Sequence, residues 1–443
     1  MRNKVGDKMS KKYVYDSTEP VHVNLSDLEQ HQADLLSTSE TFCIYPWIHL
    51  HTYPTGETYP CCHANMHDPI GTTKENTLKE LWHSSSMKEL RLNMMNNRRS
   101  HICNGCYEQE ASGFFSGRKS ANKHHGHHIA RVEDTKIDGA YWKFNMTYWD
   151  IRFSNLCNLS CRTCGYIFSS SWYKDQVELA KNAGDLHWAE NNKVMNIAGR
   201  YDDDMLEQVL EHIDSVEQIY FAGGEPLTMH EHYAILDELV KRKRFDVRLI
   251  YNTNFTKVTF KDKTVFDYWK LFDSVSVGAS LDADGYRAEY IRTGTNWDLV
   301  VKNREQMQKE CPKADFYISA TVSILNALHV PDFHEAWVKK GLIQPQDFNI
   351  NILQDPMHYR IDIAPKEYKV MIDERYQQHI KWLEDKDPLN RASIGFKSAL
   401  KFMWATNNSH LVPVFWQKTN ELDDIRNQKM LDFIPELKWC VVI

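Results

Sequence analysis

From about residue 145 the chain settles into short apolar runs separated by stretches of helical period. The runs at 148–154 (YWDIRFS), 217–222 (EQIYFA), 247–252 (VRLIYN), 274–281 (SVSVGASL), 316–324 (FYISATVSI) and 348–353 (FNINIL) are rich in Val, Ile, Tyr and Phe. Between most of them, residues 205–214, 229–242, 297–310 and 332–340 carry apolar positions at helical spacing. Short β-branched and aromatic runs alternating with helices predict parallel strands in an α/β sheet. Six such units are too few for a closed eight-stranded barrel.

The flanks read differently. Residues 1–40 are polar and weakly periodic, which predicts an N-terminal arm. Residues 41–110 hold five of the ten cysteines and form a small cysteine-rich module. Residues 111–144 contain Ser112-Gly113, Ser116-Gly117 and the run Lys123-His124-His125-Gly126-His127-His128. They predict a linker, with the histidines in a solvated, glycine-broken loop and metal binding as the less frequent outcome. The core is assigned to 145–355. Residues 356–443 predict a helical C-terminal extension, helical at 366–385 and 393–405, with Pro413 marking a break.

Composition narrows the classes. An apolar content of 42% and an aromatic content of 12% suffice for a sizeable core. The net charge of −7 has no basic stripe, so neither a nucleic acid nor a membrane partner is expected. The one dense basic run, Lys241-Arg242-Lys243-Arg244, suits a helix C-terminus. No stretch approaches 18 apolar residues and the first residues hold no apolar signal core, so a cytoplasmic location is expected. The last four residues formally match a prenylation box, but no polybasic segment precedes them and a packed terminus is expected. Cysteines in such a chain are metal ligands before they are disulfides.

Cys157, Cys161 and Cys164 stand in RFSNLCNLSCRTC, spaced C-x3-C-x2-C directly after the first strand run. Three thiolates can hold three irons of a [4Fe–4S] cubane and leave the fourth open, and an open metal position usually serves chemistry. A structural zinc site would want a fourth protein ligand, which this loop does not contain. The loop resembles that of the radical S-adenosylmethionine (SAM) enzymes. The resemblance implies a partial (β/α)6 barrel, a SAM-binding [4Fe–4S] cluster, and reductive cleavage of SAM. That cleavage yields a 5′-deoxyadenosyl radical, which abstracts hydrogen from a substrate. It also implies an electron donor such as flavodoxin or ferredoxin.

Gly223-Gly224-Glu225-Pro226, after the second run, looks like the family's GGEP motif, which holds the SAM amino group. Ser280, Asp282 and Arg292 follow the fourth run. The resemblance points them at the SAM ribose and carboxylate, with Arg292 as the carboxylate partner. Asn252 and Asn254, at the end of the third run, complete the candidate cofactor residues. One position departs from the family: Thr163 stands where an aromatic residue commonly packs on adenine.

Cys43, Gly56, Cys61 and the pair Cys103-x2-Cys106 are similar to the first part of the SPASM/Twitch signature. This implies a second, auxiliary [4Fe–4S] cluster on Cys43, Cys61, Cys103 and Cys106, in a module preceding the core instead of following it. Cys62 is an alternative to Cys61, and zinc is an alternative to the cluster. Cys311 and Cys440 read as packed thiols. A peptide or protein is the leading substrate class by family analogy. A non-catalytic iron–sulfur protein for electron transfer or redox sensing is the competing reading, and the SAM-directed residues argue against it. A zinc-stabilised nucleic-acid module is disfavoured by charge.

Overall fold

The computed structural model describes residues 23–111 and 115–442, with side chains up to Trp439. The first part of the polar arm, Ser112-Gly113 and the Cys440 thiol lie outside the described residues. The chain forms two compact units, one from residues 23–52, 56–151 and 207–219, the other from 53–55, 152–206 and 220–442.

In the first unit, β1 (His49–Thr52) pairs antiparallel with β2 (Glu57–Tyr59), and β2 with β3 (Gly71–Thr72). Gly56, at φ +100°, makes the turn between β1 and β2. On its other side β1 runs parallel to β4 (Tyr148–Ile151), in the register His49↔Tyr148 to Thr52↔Ile151. Gln218 and Ile219 extend this sheet beside Tyr148 and Trp149. A capping box on Thr77 and Glu80 starts the helix Leu78–Trp82, and Ser84 caps the helix Ser85–Met95. These helices bury Leu78, Leu81, Trp82, Met87, Leu90 and Met94.

The stretch read as a linker departs from that expectation. Gly117–His125 is an α-helix and Gly126–Asp134 a 3-10 helix, and His125 and His128 are buried. The physical reason is that polar side chains here satisfy backbone groups. Asn122 accepts from the amide of Ile44 and donates to the carbonyl of Phe42, both at 3.0 Å. Arg118 donates to the carbonyls of Ser39 and Phe42 at 2.9 Å. Burial of polar groups costs little when each has its partner.

The second unit holds the parallel sheet. After β5 (Ser160–Cys161), its strands are β6 (Gln218–Phe221, from Tyr220), β7 (Arg248–Thr253), the small hairpin β8 (Thr259–Phe260) and β9 (Lys263–Thr264), β10 (Val275–Ala279), β11 (Arg292–Thr293), β12 (Asp315–Val322) and β13 (Phe348–Ile352). The spatial order is β6-β7-β10-β12-β13. β7, β10, β12 and β13 pair in parallel. The helices His230–Lys241, Trp297–Glu310 and Val330–Lys339 fall between them. All six runs of the sequence pattern contain a strand, and no pairing among the described residues closes the sheet. The protein is thus α/β with an open parallel sheet, as the pattern predicts.

Past residue 356 the chain is helical at Lys366–Leu383, Arg391–Ala405 and Val412–Arg426. Pro413 follows the break that the sequence predicts after the second helix, which ends at Ala405. It sits in the first turn of Val412–Arg426, where its missing N–H is not needed. Asn427 in the left-handed conformation ends that helix. No described helix is long and apolar enough to cross a membrane.

Candidate metal centres

The Cys157 loop is held by its own carbonyls. Ser171 and Ser170 donate to the carbonyl of Cys157, Ser169 to that of Leu159 at 2.6 Å, and the Trp172 indole to that of Cys161 at 2.7 Å. The amide of Cys157 returns a bond to the Ser170 hydroxyl. Cys161 lies on β5, paired antiparallel with Arg292 on β11. Burial pushes all three thiols up, Cys157 to about 12 and Cys164 to about 11, and each of these two is raised further by Cys161 nearby. Neighbouring thiols in a buried loop cannot all ionise unless a cation joins them. That donor set suits a cluster or a metal ion, as the spacing requires. Arg292 Nη1 lies 3.7 Å from Cys161 Sγ and Asn254 Nδ2 lies 4.0 Å from Cys157 Sγ, so both donors face thiolate positions.

The Gly-Gly turn docks directly on this loop. Gly223 and Gly224 have φ of +83° and +54°. The Glu225 amide donates to the carbonyl of Leu156 at 2.7 Å, and a Cβ on Gly224 would collide with that same carbonyl. Only glycine allows this approach. Glu225 itself turns inward. Its carboxylate accepts from the Thr253 hydroxyl and the Asn254 amide at 2.6 Å, and from the Leu227 amide at 3.1 Å. Burial raises its carboxyl to about 7 against those hydrogen bonds. Glu225 therefore braces the end of β7, and most of its acceptor capacity is committed to the protein. Pro226 opens the buried turn Pro226–Thr228.

Arg292 is likewise engaged. Its Nη2 donates to Asp282 Oδ1 at 3.0 Å, and Nε stands 2.8 Å from Oδ2. Asp282, almost fully buried, also accepts from the Thr321 amide at 2.8 Å. Asn252 donates to the Tyr220 hydroxyl, and Ser280 continues the end of β10 with its amide on Thr253. The structure thus gathers Cys157, Cys161, Cys164, Glu225, Asn254, Asp282 and Arg292 at one end of the sheet. No hydrogen bond joins Asn252 or the Ser280 side chain to the thiols. Thr163 is half-buried.

A residue that the sequence reading passes over lies inside the cysteine motif. Arg162 is fully buried and its side chain leaves the loop toward the C-terminal helices. It donates to the carbonyl of Tyr290, to Asp423 and to Gln428, and its guanidinium lies 3.7 Å from the centre of the Tyr290 ring. Asp423 also accepts from the Tyr290 hydroxyl at 2.9 Å and the Met430 amide at 2.7 Å. The one available signal was an arginine between two cluster cysteines, a charge that needs a partner. Removing one member of a buried pair costs about 3–5 kcal/mol. Asp423→Asn should therefore lower the unfolding midpoint clearly, and iron bound by this loop should fall with it. A variant with unchanged iron and midpoint would show that Asp423 does not hold the loop.

The second thiol group lies in the first unit. Cys43, Cys61, Cys103 and Cys106 line one cavity together with Tyr45, His63 and Arg118, whereas Cys62 is exposed. The geometry favours Cys61 over Cys62 as the ligand. Burial pushes all four thiols up, Cys103 to about 12. Backbone amides reach three of the sulfurs: Tyr45 to Cys43, His63 to Cys61, and Gly117 with Arg118 to Cys106. Amides aimed at sulfur favour the thiolate, and four such ligands complete a cubane or a zinc tetrahedron. Arg118 is fixed over this site by its pair with Glu110. Cys311 is buried, as expected of a packed thiol.

Residues 43–107 match the family described as SPASM, an iron–sulfur cluster-binding domain. A comparison with curated protein sequences finds no match. Among solved structures, native anSMEcpe with bound AdoMet and Cp18Cys peptide is 18% identical over 53% of this chain and 60% of its own, at a TM-score of 0.33. Streptococcus suis SuiB bound to S-adenosylmethionine is 12% identical over 68% of this chain and 62% of its own, also at 0.33. TYW1 with a lysine-pyruvate adduct is 12% identical over 54% of this chain and 71% of its own, at 0.27. The matched part is therefore less than two thirds of anSMEcpe and of SuiB, and likeness at these scores carries no functional argument. The SPASM match favours iron and sulfur over zinc for the four thiols of the first unit. Residues 43–107 thus match a SPASM iron–sulfur cluster-binding domain, and this segment stands ahead of the Cys157-x3-Cys161-x2-Cys164 loop and the Gly-Gly turn docked on it in sequence.

Proposed function

We propose that the protein is a radical SAM modifying enzyme acting on a peptide or protein, with an auxiliary cluster on Cys43, Cys61, Cys103 and Cys106. The observation that supports the reading is the contact between the Gly-Gly turn and the loop that carries buried Cys161 and half-buried Cys157 and Cys164. When bound, the cluster and SAM supply a one-electron cleavage that yields a hydrogen-abstracting 5′-deoxyadenosyl radical. The residues of the chain do the positioning. Cys157, Cys161 and Cys164 hold the cluster, and Arg162 anchors the backbone between the last two. Gly223 and Gly224 bring the turn onto the loop, and Glu225 fixes the strand end behind it. Arg292, steadied by Asp282, presents positive charge beside Cys161 and toward a carboxylate. Ser280 and Asn252 supply further polar groups at neighbouring strand ends. Residues 41–110 would form the auxiliary module, 145–355 the core and 356–443 the support for the cysteine loop. A cytosolic flavodoxin or ferredoxin would deliver the electron.

Anaerobic reconstitution with reductant, SAM and candidate peptides tests this, with 5′-deoxyadenosine and peptide mass followed together. Coupled release and mass change is the expected result. No 5′-deoxyadenosine under any condition would favour an iron–sulfur protein without catalysis. A mass change on a small molecule in place of peptides would correct the substrate class alone.

Arg292→Ala should weaken SAM binding roughly tenfold to a hundredfold, the equivalent of about 1.5–3 kcal/mol for a charge-assisted contact. It should also lower thermal stability, because Asp282 is left buried without its cation. Arg292→Lys restores charge without the fork and should recover only part of the affinity. Equilibrium binding of SAM to protein with both clusters assembled is the measurement. Unchanged affinity in Arg292→Ala removes the residue from the SAM site.

A further inference from the structure

The histidine run of the sequence is absorbed by neither cluster site, yet part of it converges on one point in the first unit. His127 Nε2 lies 2.8 Å and His128 Nε2 3.1 Å from the same oxygen of Glu217. The ligand atoms of all three residues lie within 4.8 Å of one another. The frame around them is rigid. His127 and His128 sit in the 3-10 helix Gly126–Asp134, whose Ile129 and Val132 are buried. Glu217 is fixed by its own amide, which donates to the carbonyl of Thr147 at 2.9 Å, at the starts of β4 and β6.

The Thr147 hydroxyl lies 3.1 Å from His128 Nε2 as well. Two imidazole nitrogens and one carboxylate oxygen converge on one point, and each can offer a lone pair to a cation placed between them.

We infer that His127, His128 and Glu217 form a third metal site, for a divalent ion of the zinc type. Two imidazoles and one carboxylate suit zinc and its neighbours in the first transition row. Calcium and magnesium prefer all-oxygen shells, and soft copper(I) prefers sulfur. Each imidazole would hold its proton on Nδ1 and offer Nε2 to the ion. The two histidine side chains are 16% and 9% exposed, and Glu217 is 35% exposed, so the ion can enter from the carboxylate side. Water would fill the remaining position. The ion would tie the 3-10 helix to the starts of the two strands.

The test uses the full chain with its iron–sulfur clusters assembled, so that the cysteines are already occupied. Zinc binding is measured by equilibrium dialysis, and zinc X-ray absorption reads the bound shell. The expected result is one zinc per chain with nitrogen and oxygen neighbours at about 2.0–2.1 Å and no sulfur. Glu217→Gln, which keeps shape and hydrogen bonding, should lower the affinity at least tenfold. His127→Gln serves as the second variant should the first unfold, and the zinc-dependent rise in melting temperature should vanish in either. Absence of bound zinc, a sulfur shell at about 2.3 Å, or unchanged affinity in the folded variants overturns the assignment.

Discussion

Protein with Ala at Cys157, Cys161 and Cys164 should lose about four of about eight irons per chain and all formation of 5′-deoxyadenosine. The effect is all or none because, on the proposed reading, the loop would supply three ligands to a single cubane. Its sulfurs have no other thiol to replace them within the loop, and the Ser169, Ser170 and Ser171 hydroxyls that follow it are spent on its carbonyls. The fold should survive, because the loop backbone is pinned by Ser170, Trp172 and Arg162 and not by the thiols. Iron analysis and quantitation of 5′-deoxyadenosine with dithionite and SAM make the check. Residual 5′-deoxyadenosine in the triple variant would show that the radical cluster lies elsewhere.

Replacing Cys103 and Cys106 by Ala should halve the iron in a different way. An auxiliary cubane on the proposed four cysteines would lose two of its ligands, yet reductive cleavage of SAM should remain measurable, because the proposed radical cluster would have its own thiols. Turnover of the true substrate should fall steeply, since an auxiliary cluster moves electrons or positions substrate. Cys62 should not rescue the site, being exposed where Cys61 lines the cavity. Protein purified without air that holds about four irons and one zinc, with zinc lost in the double variant, would refute a cluster on these cysteines.

What the sequence made legible was local. The run Ser274–Leu281 announces β10 through its apolar content, and strand-end position makes the Cys157 spacing and the GGEP turn interpretable. What it concealed depended on distant partners. Glu225 reads as a carboxylate offered to a ligand, but Thr253 and the amides of Leu227 and Asn254 claim it, nearly thirty residues on in two cases. The segment 117–134 reads as a linker because it is polar and glycine-marked. Its polarity is used on the backbone of residues 39–44, which no periodicity reveals. Pro413 is ambiguous in sequence, since the same ring that stops a helix interior also suits a helix start. Arg162 is hidden most deeply of all, its counter-charge being 261 residues away.

That separation has a consequence for the order in which the protein can be made. The guanidinium between two cluster cysteines finds its carboxylate only after residue 423 has been synthesised, and its amide partner only after residue 428. Until then the loop carries an uncompensated charge that would keep it in water. The buried pairing of Arg162 is thus complete only once residues 423 and 428 have joined the fold, and a chain cut short before them would leave this guanidinium without either partner.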